Sequence, residues 1–163
     1  MRKIYPFGRR LRSDLVQMHR KALWYTNQKI YEKAIKTNLQ LLELFNTHLD
    51  VDLEEIKVLC KLCALYREIS QYKKAINVCK QALKLKPTLW LPISHLAITY
   101  RMMRDYENAI PLYIKSLQAA PTFSMIWQDV HQLKQEKQEA EFLYLLTKVL
   151  PEGLKQKLSN KIS

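Results

Sequence analysis

The sequence predicts an all-α protein built from a repeated pair of helices, and three observations carry that reading. Residues 55 to 88 laid on 89 to 122 give nine identities without a gap: Leu62/Leu96, Tyr66/Tyr100, Arg67/Arg101, Tyr72/Tyr106, Ala75/Ala109, Ile76/Ile110, Leu83/Leu117, Pro87/Pro121 and Thr88/Thr122. A fixed period of 34 residues is the signature of a repeat architecture. Within each unit the apolar residues recur at helical rather than alternating spacing. Finally, the chain of 163 residues holds only Gly8 and Gly153. Tight β-turns and phosphate-cradling loops both favour glycine, so the composition argues against sandwiches and nucleotide-binding α/β folds.

The elements follow in order. An upstream unit over about 14–49 keeps the internal spacing through Ala22, Tyr25, Ala34 and Leu41, with Lys21 where a leucine is expected. Ala34 to Ala75 spans seven residues more than the period, which puts an insertion near 46–52. Asp52 with Glu55 reads as a capping box that restarts the helix. The unit 56–89 opens with a stripe of Leu59, Leu62, Cys63 and Tyr66 and turns at residues 70–72. A second helix then carries Ala75, Ile76, Cys79, Ala82 and Leu83, and Pro87 ends it because proline cannot continue a helix. The unit 90–123 repeats this with Ile93, Leu96, Ala97, Tyr100, Ala109, Tyr113, Ser116 and Pro121. Small residues at Cys63, Ala75 and Ala82, mirrored by Ala97, Ala109 and Ser116, let the helix axes approach closely. In the second helix of that unit Asp105 reads as N-cap, and Pro111 removes one interior hydrogen bond. Downstream, over about 124–151, Trp127 stands 34 after Ile93. Ala140, Tyr144 and Thr147 restore second-helix spacing about three residues early.

These residues resemble the tetratricopeptide repeat, whose unit runs aromatic, leucine, small residue, tyrosine, then alanine, aromatic, alanine and proline. Leu59 and Cys79 replace the aromatics in the first clear unit. The resemblance covers roughly 14–151 and is strongest over 56–123. It implies a right-handed α-solenoid of antiparallel helix pairs, with two clear repeats and degenerate flanking ones. The expected organisation is a basic N-terminal arm at 1–12, a repeat domain at 13–151, and a basic tail or capping helix at 152–163.

Little in the chain points to catalysis. His19, His48, His95 and His131 show no ligand spacing, and no nucleophile, base and acid arrangement stands out. The spacing of Cys60 and Cys63 invites a metal or redox reading. Both fall mid-helix, however, and a zinc site needs a second pair. With Cys79 the count is odd, and 48% apolar residues suffice for a core without disulfides, so reduced thiols in a reducing compartment are expected. No enzyme activity, cofactor or metal is expected.

Charge is uneven. The formal total is +12, of which residues 1–12 supply +5, 56–89 supply +7 and 148–163 supply +3. Lys73, Lys80 and Lys84 share one face of a second helix that the family places outside. The arm interleaves its arginines with Ile4, Tyr5, Phe7 and Leu11, which suits a protein groove, nucleic acid, a lipid interface, or capping of the first helix pair. No apolar run approaches the ~18 residues that span a bilayer. A cytoplasmic protein is expected, with mitochondrial import by the basic N-terminus as the alternative.

The resemblance implies a concave groove, lined by the first helices, that holds a peptide segment with apolar anchors and nearby acids. The residues it places there are His19, Leu23, Lys57, Cys60, Ala64, Arg67, Leu91, Ser94, Ile98, Arg101 and Gln128, with Val16, Met125 and Gln132 at the flanks. Arg67 and Arg101 occupy one phase of successive helices and are expected to face a partner carboxylate without serving the core. Members that clamp chaperone C-termini use lysines and asparagines at places held here by His19, Leu23, Lys61, Leu91 and His95, so that subclass is set aside. The expected role is a protein-binding adaptor, scaffold or chaperone. The rival is an RNA- or ribosome-associated protein, or less readily a membrane-surface adaptor, using the basic segments.

Overall fold

The computed structural model describes residues 9–48, 52–121, 125–135 and 139–160. Among them lie α1 (Arg9–Asn27), α2 (Tyr31–His48), α3 (Asp52–Glu68), α4 (Tyr72–Leu85), α5 (Trp90–Met102), α6 (Tyr106–Ala119), α7 (Met125–Gln135), α8 (Ala140–Val149) and α9 (Glu152–Asn160). No strand occurs among the described residues. The closest neighbours are α1 with α2, α3 with α4, and α5 with α6, and α2–α3 and α4–α5 contacts stack the pairs into a solenoid. The two clear units fall on α3–α4 and α5–α6. The extra residues expected near 46–52 lengthen two helices: α2 has 18 residues against 14 in α4, and α3 has 17 against 13 in α5. Residues 49–51 and the Asp52 side chain of the expected capping box lie outside the described residues. Arm residues 1–8 lie outside them too; Arg9 to Arg12 already belong to α1, whose first turn carries no acid to meet the helix dipole.

Three turns inside the pairs share one construction. Lys29, Ser70 and Arg104 have φ of 57°, 57° and 60°. The following residue donates back to a tyrosine carbonyl five positions earlier: Ile30 to Tyr25, Gln71 to Tyr66 and Asp105 to Tyr100, at 2.8 to 3.0 Å. The left-handed residue itself bonds to the carbonyl after that tyrosine, namely Thr26, Arg67 or Arg101. This closes the orphan carbonyls of the first helix without a glycine. Asp105 then caps α6 by accepting from the Asn108 N–H at 3.2 Å, and Pro111 lies inside α6 with its ring exposed.

Two apolar clusters form the core. One joins α1 to α4, through Ala22, Ala34, Leu41, Ile56, Leu59, Leu62 and Ala75. The other joins α5 to α9, through Ala97, Ala109, Tyr113, Leu117, Ile126, Phe142, Leu146 and Leu154. Tyr100 and Leu112 touch both clusters and make the core continuous. The predicted small positions Ala75, Ala82, Ala97, Ala109 and Ser116 are wholly buried. Across the α5–α6 contact Ser94 and Ser116 share a hydrogen bond through their hydroxyls. Trp127 is buried at the downstream end, its indole donating 2.8 Å to the Pro121 carbonyl.

Two sequence expectations are corrected. In α8 the inward face is Phe142 and Leu146, four apart and both buried, while Ala140, Tyr144 and Thr147 are exposed. The degenerate unit thus packs on a different phase from the one its alanine and tyrosine suggest. The second correction concerns the thiols: Cys63 and Cys79 are joined in a disulfide between α3 and α4, with Cα atoms 6.0 Å apart, and Cys60 alone is free. Cys63 stands at a small-residue position of α3 and Cys79 at the aromatic position of α4, and both are wholly buried where the two helices face each other. The bond also withdraws the thiol argument for a reducing compartment. Cys60 is buried, and desolvation pushes its pKa up to about 12 despite the nearby Arg67, which leaves an unreactive thiol.

The expected result of a thiol titration in denaturant without reductant is therefore one thiol per chain. Reduction should lower stability by about 3 kcal/mol, the chain-entropy value for a loop of this length. Three titratable thiols, or a melting temperature indifferent to reductant, would overturn the bond.

Candidate functional site

The first helices do not present one uniform open face. α1 carries Val16 and Leu23 about half exposed, and α3 carries Lys57 and Lys61 exposed with Ala64 half-buried. α5 is different: Ser94, His95, Ile98, Thr99 and Arg101 are all buried, because α3 and α7 both pack against it beside its partners α4 and α6. Leu91 remains half-buried, and on α7 Gln128 is exposed. His19 is half-buried, its ring 6.2 Å from Phe45, and burial with Lys61 nearby lowers its pKa. Of the eleven groove candidates, then, Cys60, Arg67, Ser94, Ile98 and Arg101 offer almost no surface, which corrects the expectation of a continuous lining stripe.

What the structure does bring together is Leu23 and Ala64. With Ala22, Thr26 and Asn38 they line a recess of about 300 Å³ between α1, α2 and α3, rimmed by Lys29, Lys61 and Glu68. Its walls are mostly carbon, and charge stands only at the edge. At that edge the Tyr31 hydroxyl donates 3.4 Å to the Glu68 carboxylate, and burial followed by the Glu68 charge raises the phenol pKa. Tyr31, Thr26 and Asn38 escaped sequence reading because two of them lie on a second helix, which the groove analogy leaves aside.

The two arginines tie successive units to each other. Arg101 binds Asp129 in a fork, Nε to Oδ2 at 3.1 Å and Nη2 to Oδ1 at 2.8 Å, and its Nη1 meets Glu139 at 2.7 Å. Its Nε also donates 2.8 Å to the Tyr113 hydroxyl, which in turn donates to Asp129. Burial opposes the charge of Arg101, but Tyr113, Asp129 and Glu139 outweigh it and hold the guanidinium above its ordinary range. Arg67 reaches the residue in the equivalent place, since 95 is 34 before 129. There it finds His95: Nη1 lies 3.1 Å from Nδ1 and 3.2 Å from the His95 carbonyl. A guanidinium only donates, so Nδ1 must accept and the imidazole proton sits on Nε2. The bidentate geometry read from the sequence is present, but its carboxylate comes from this chain.

His95 gives that rung a pH signature. Burial first, then the Arg67 charge, lowers its pKa from 6.5 to about 3. In the unfolded chain it takes up a proton near pH 6.5, whereas in the folded chain it stays neutral. Stability is therefore fully present above pH 6.5 and is lost as pH falls towards 3, by about 1.4 kcal/mol per pH unit. Urea midpoints of the wild type and of His95→Gln, compared between pH 7 and 5, check this. The wild type should show the steeper loss; parallel slopes would mean His95 titrates normally.

A second cluster lies on the other side of α1. Lys21 and Lys33 stand 5.9 and 5.8 Å from the centre of the Tyr25 ring, and with Lys36, Thr37 and Gln40 they line an open basic seam between α1 and α2. Trp24, more than half exposed, packs edge-on against Tyr25 at 5.3 Å. No group of three or more metal-ligating side chains occurs among the described residues. None of the described helices is long and apolar enough to cross a membrane.

Comparison with known proteins matches this geometry to one family. Residues 56–89 and 93–124 each match a family profile described as tetratricopeptide repeat. No curated protein sequence matches the chain. Similar solved structures include the tetratricopeptide domain of Sgt2 from Aspergillus fumigatus, at 21% identity and TM-score 0.61 over 78% of this chain and 82% of that one. MamA from Desulfovibrio magneticus RS-1 is 16% identical, with TM-score 0.62 over 90% and 74%. The first tetratricopeptide domain of Spaghetti (RPAP3), bound to the HSP90 peptide SRMEEVD, is 16% identical, with TM-score 0.58 over 76% and 92%. At these identities the likeness concerns the fold. With the 34-residue unit explicit over 56–89 and 93–124 and its helix pairs stacked in the structure, the chain is a tetratricopeptide-repeat protein.

Proposed function

We propose that this chain is a non-catalytic adaptor, scaffold or chaperone that holds a segment of a partner protein on the open face of its first two helix pairs. The observation that carries the proposal is the apolar recess between α1, α2 and α3, with Leu23 and Ala64 on its walls and Lys29 and Lys61 at its rim. An apolar anchor in the recess with an acidic residue near those lysines matches the helix- and peptide-in-groove modes of recognition. A tetratricopeptide domain bound to an acidic HSP90 peptide lends the mode precedent, though for that protein. Arg67 and Arg101 leave the binding reading, because their guanidinium groups serve the chain itself. Leu23→Asp puts a charge on the recess wall at a side chain 57% exposed, so it should weaken partner capture at least tenfold, about 1.4 kcal/mol, with little change in melting temperature. Capture unaffected by that change would remove the recess from the binding surface.

The basic seam favours a second reading, an RNA-associated role for the opposite side of the first pair. Lysines beside Tyr25 and the exposed Trp24 suit single-stranded nucleic acid, whose bases stack on aromatic side chains. Under this reading nuclease and rising salt abolish capture, since each phosphate contact releases a counterion, and the triple change Lys21→Glu, Lys33→Glu and Lys36→Glu mimics both. Capture that resists nuclease and salt and fails only with Leu23→Asp supports the peptide reading.

A further inference from the structure

The seam between α1 and α2 gathers positive charge that the chain does not neutralise. It is an open concavity of about 310 Å³ lined by Lys21, Tyr25, Lys33, Lys36, Thr37 and Gln40, with no acid among them. The ion pairs among the described residues all involve other cations, and exposed Glu32, beside Lys33 in sequence, takes no part in them. Tyr25 gathers two of the lysines, the ammonium groups of Lys21 and Lys33 standing 5.9 and 5.8 Å from its ring centre. Like charges gathered on one ring repel each other, and a bound anion removes that cost. The Thr37 hydroxyl is bound to the Lys33 carbonyl at 2.8 Å, so the lysines are the main donors left for an anion. An aromatic surface adjoins them. Trp24 is 55% exposed and packs edge-on against Tyr25 at 5.3 Å between ring centres, so Tyr25 meets the indole and the lysines at once.

We propose that the seam and Trp24 together bind the phosphorylated end of a single-stranded RNA, the terminal phosphate among the lysines and the terminal base on the indole. This deepens the RNA-associated reading and rests on it. Charge selects the end of a strand over its interior. An internal phosphodiester carries one negative charge, and successive ones are spread along the backbone. A terminal phosphate is a monoester, like that of a phosphorylated side chain, and carries about −1.5 to −2 on three acceptor oxygens. Three lysines lining one seam match the second better than the first. The indole then selects a nucleotide over other phosphomonoesters. Every base has a π-face to stack, whereas a lipid headgroup or a phosphorylated serine would fill the seam and leave Trp24 bare. The base at a duplex end stays paired, so a single strand is favoured.

The test titrates the full chain, labelled with ¹⁵N, with one short oligoadenylate prepared with and without a terminal phosphate, and with AMP, adenosine and ribose phosphate. The Trp24 indole signal and the Tyr25 and Lys33 amides are the readout. The phosphorylated strand should bind about tenfold more tightly than its hydroxyl twin, or roughly 1.4 kcal/mol. AMP should bind more tightly than either adenosine or ribose phosphate. Lys21→Gln with Lys33→Gln, both at exposed positions, should erase the preference for the phosphate. Trp24→Ala should weaken both strands alike and bring AMP down to ribose phosphate. Lys80→Gln with Lys84→Gln, exposed on α4 and outside the seam, should leave the ratio of the two strands unchanged. The two readings fail separately. Equal binding of the two strands, still lost in the seam lysine pair, overturns recognition of the end and leaves the RNA-associated reading standing. Strands that leave the Trp24 signal unmoved remove both. Ribose phosphate bound as tightly as AMP, with Trp24→Ala neutral, overturns the nucleotide and makes the seam a plain phosphate site.

Discussion

Replacing Asp129 with alanine should destabilise the chain by about 3–5 kcal/mol, the range for removing one partner of a buried ion pair. The pair is well enclosed: the Arg101 side chain is 8% exposed and that of Asp129 14%. Asp129 takes two bonds from Arg101 and one from the Tyr113 hydroxyl, so its loss leaves a guanidinium and a phenol under-served at once. Glu139 would still neutralise part of the charge, through a single contact at 2.7 Å. The cost arises from the stranded cation rather than from the net strength of the pair. Replacing both residues with apolar ones, Arg101→Met with Asp129→Leu, should therefore recover much of the loss. The exposed pair of Lys57 and Glu54, 50% and 42% exposed, is the contrast: Glu54→Ala should cost less than about 1 kcal/mol. Urea denaturation of these variants decides the matter, and an Asp129→Ala no worse than Glu54→Ala would show that the Arg101 cluster does not join the units.

The same pair shows where sequence reading stops. Period, turns and helix limits were legible because they depend on local chemistry repeated 34 residues apart. Tyr25, Tyr66 and Tyr100 mark three equivalent turns even without a glycine. The alanines at 75 and 109 mark equivalent close approaches, and both are wholly buried. Phase also placed Arg67 and Arg101 correctly as equivalent rungs with bidentate potential. It did not reveal that the acceptors were internal. Asp129 lies one unit along from Arg101, in a degenerate repeat whose alignment ends soon after Trp127, and Glu139 lies beyond that break. The signal was available in one respect: 129 is 34 after 95, so a residue facing Arg67 at 95 implies one facing Arg101 at 129.

Burial of the groove stripe on α5 was hidden for a different reason. An exposed stripe is inferred by subtracting the core-facing positions of a single helix pair. In this chain α5 is packed by α3, α4, α6 and α7, so residues that would line a wide groove, such as Ser94 and Ile98, become core. The recess lies upstream instead, where Leu23 and Ala64 face each other without a further layer over them. The disulfide escaped because an odd cysteine count was read as arguing against any bond. Cys63 and Cys79 each look like ordinary small core residues in sequence, and only the facing of α3 on α4 pairs them.

The largest packing effect is expected at Phe142, in the unit that sequence made least convincing. Its ring is fully buried, 4.9 Å from Tyr113 in an edge-to-face arrangement and 5.3 Å from Tyr106. Tyr113 is also the phenol that supports Asp129, so Phe142 packs behind the Arg101 cluster. Phe142→Ala removes a large apolar volume between α6 and α8, at a site whose walls are held by helix pairs and collapse poorly. A loss of about 3–5 kcal/mol follows, which for a chain of this size lowers the melting temperature by roughly 10 °C. The aromatic contacts add to transfer and cavity terms, so the upper part of that range is favoured. Tyr144, two residues on and 66% exposed, supplies the control: Tyr144→Ala should stay within about 0.5 kcal/mol. The competing view makes α8 a loosely attached appendage that the two clear repeats do not need. Under that view both variants leave the main unfolding transition unchanged and only the fluorescence of Trp127 shifts early. A single cooperative transition, moved down by Phe142→Ala and not by Tyr144→Ala, instead makes the degenerate unit part of one folding domain. If the two variants behave alike, the inward phase assigned to Phe142 and Leu146 is wrong and the alignment through Tyr144 regains its place.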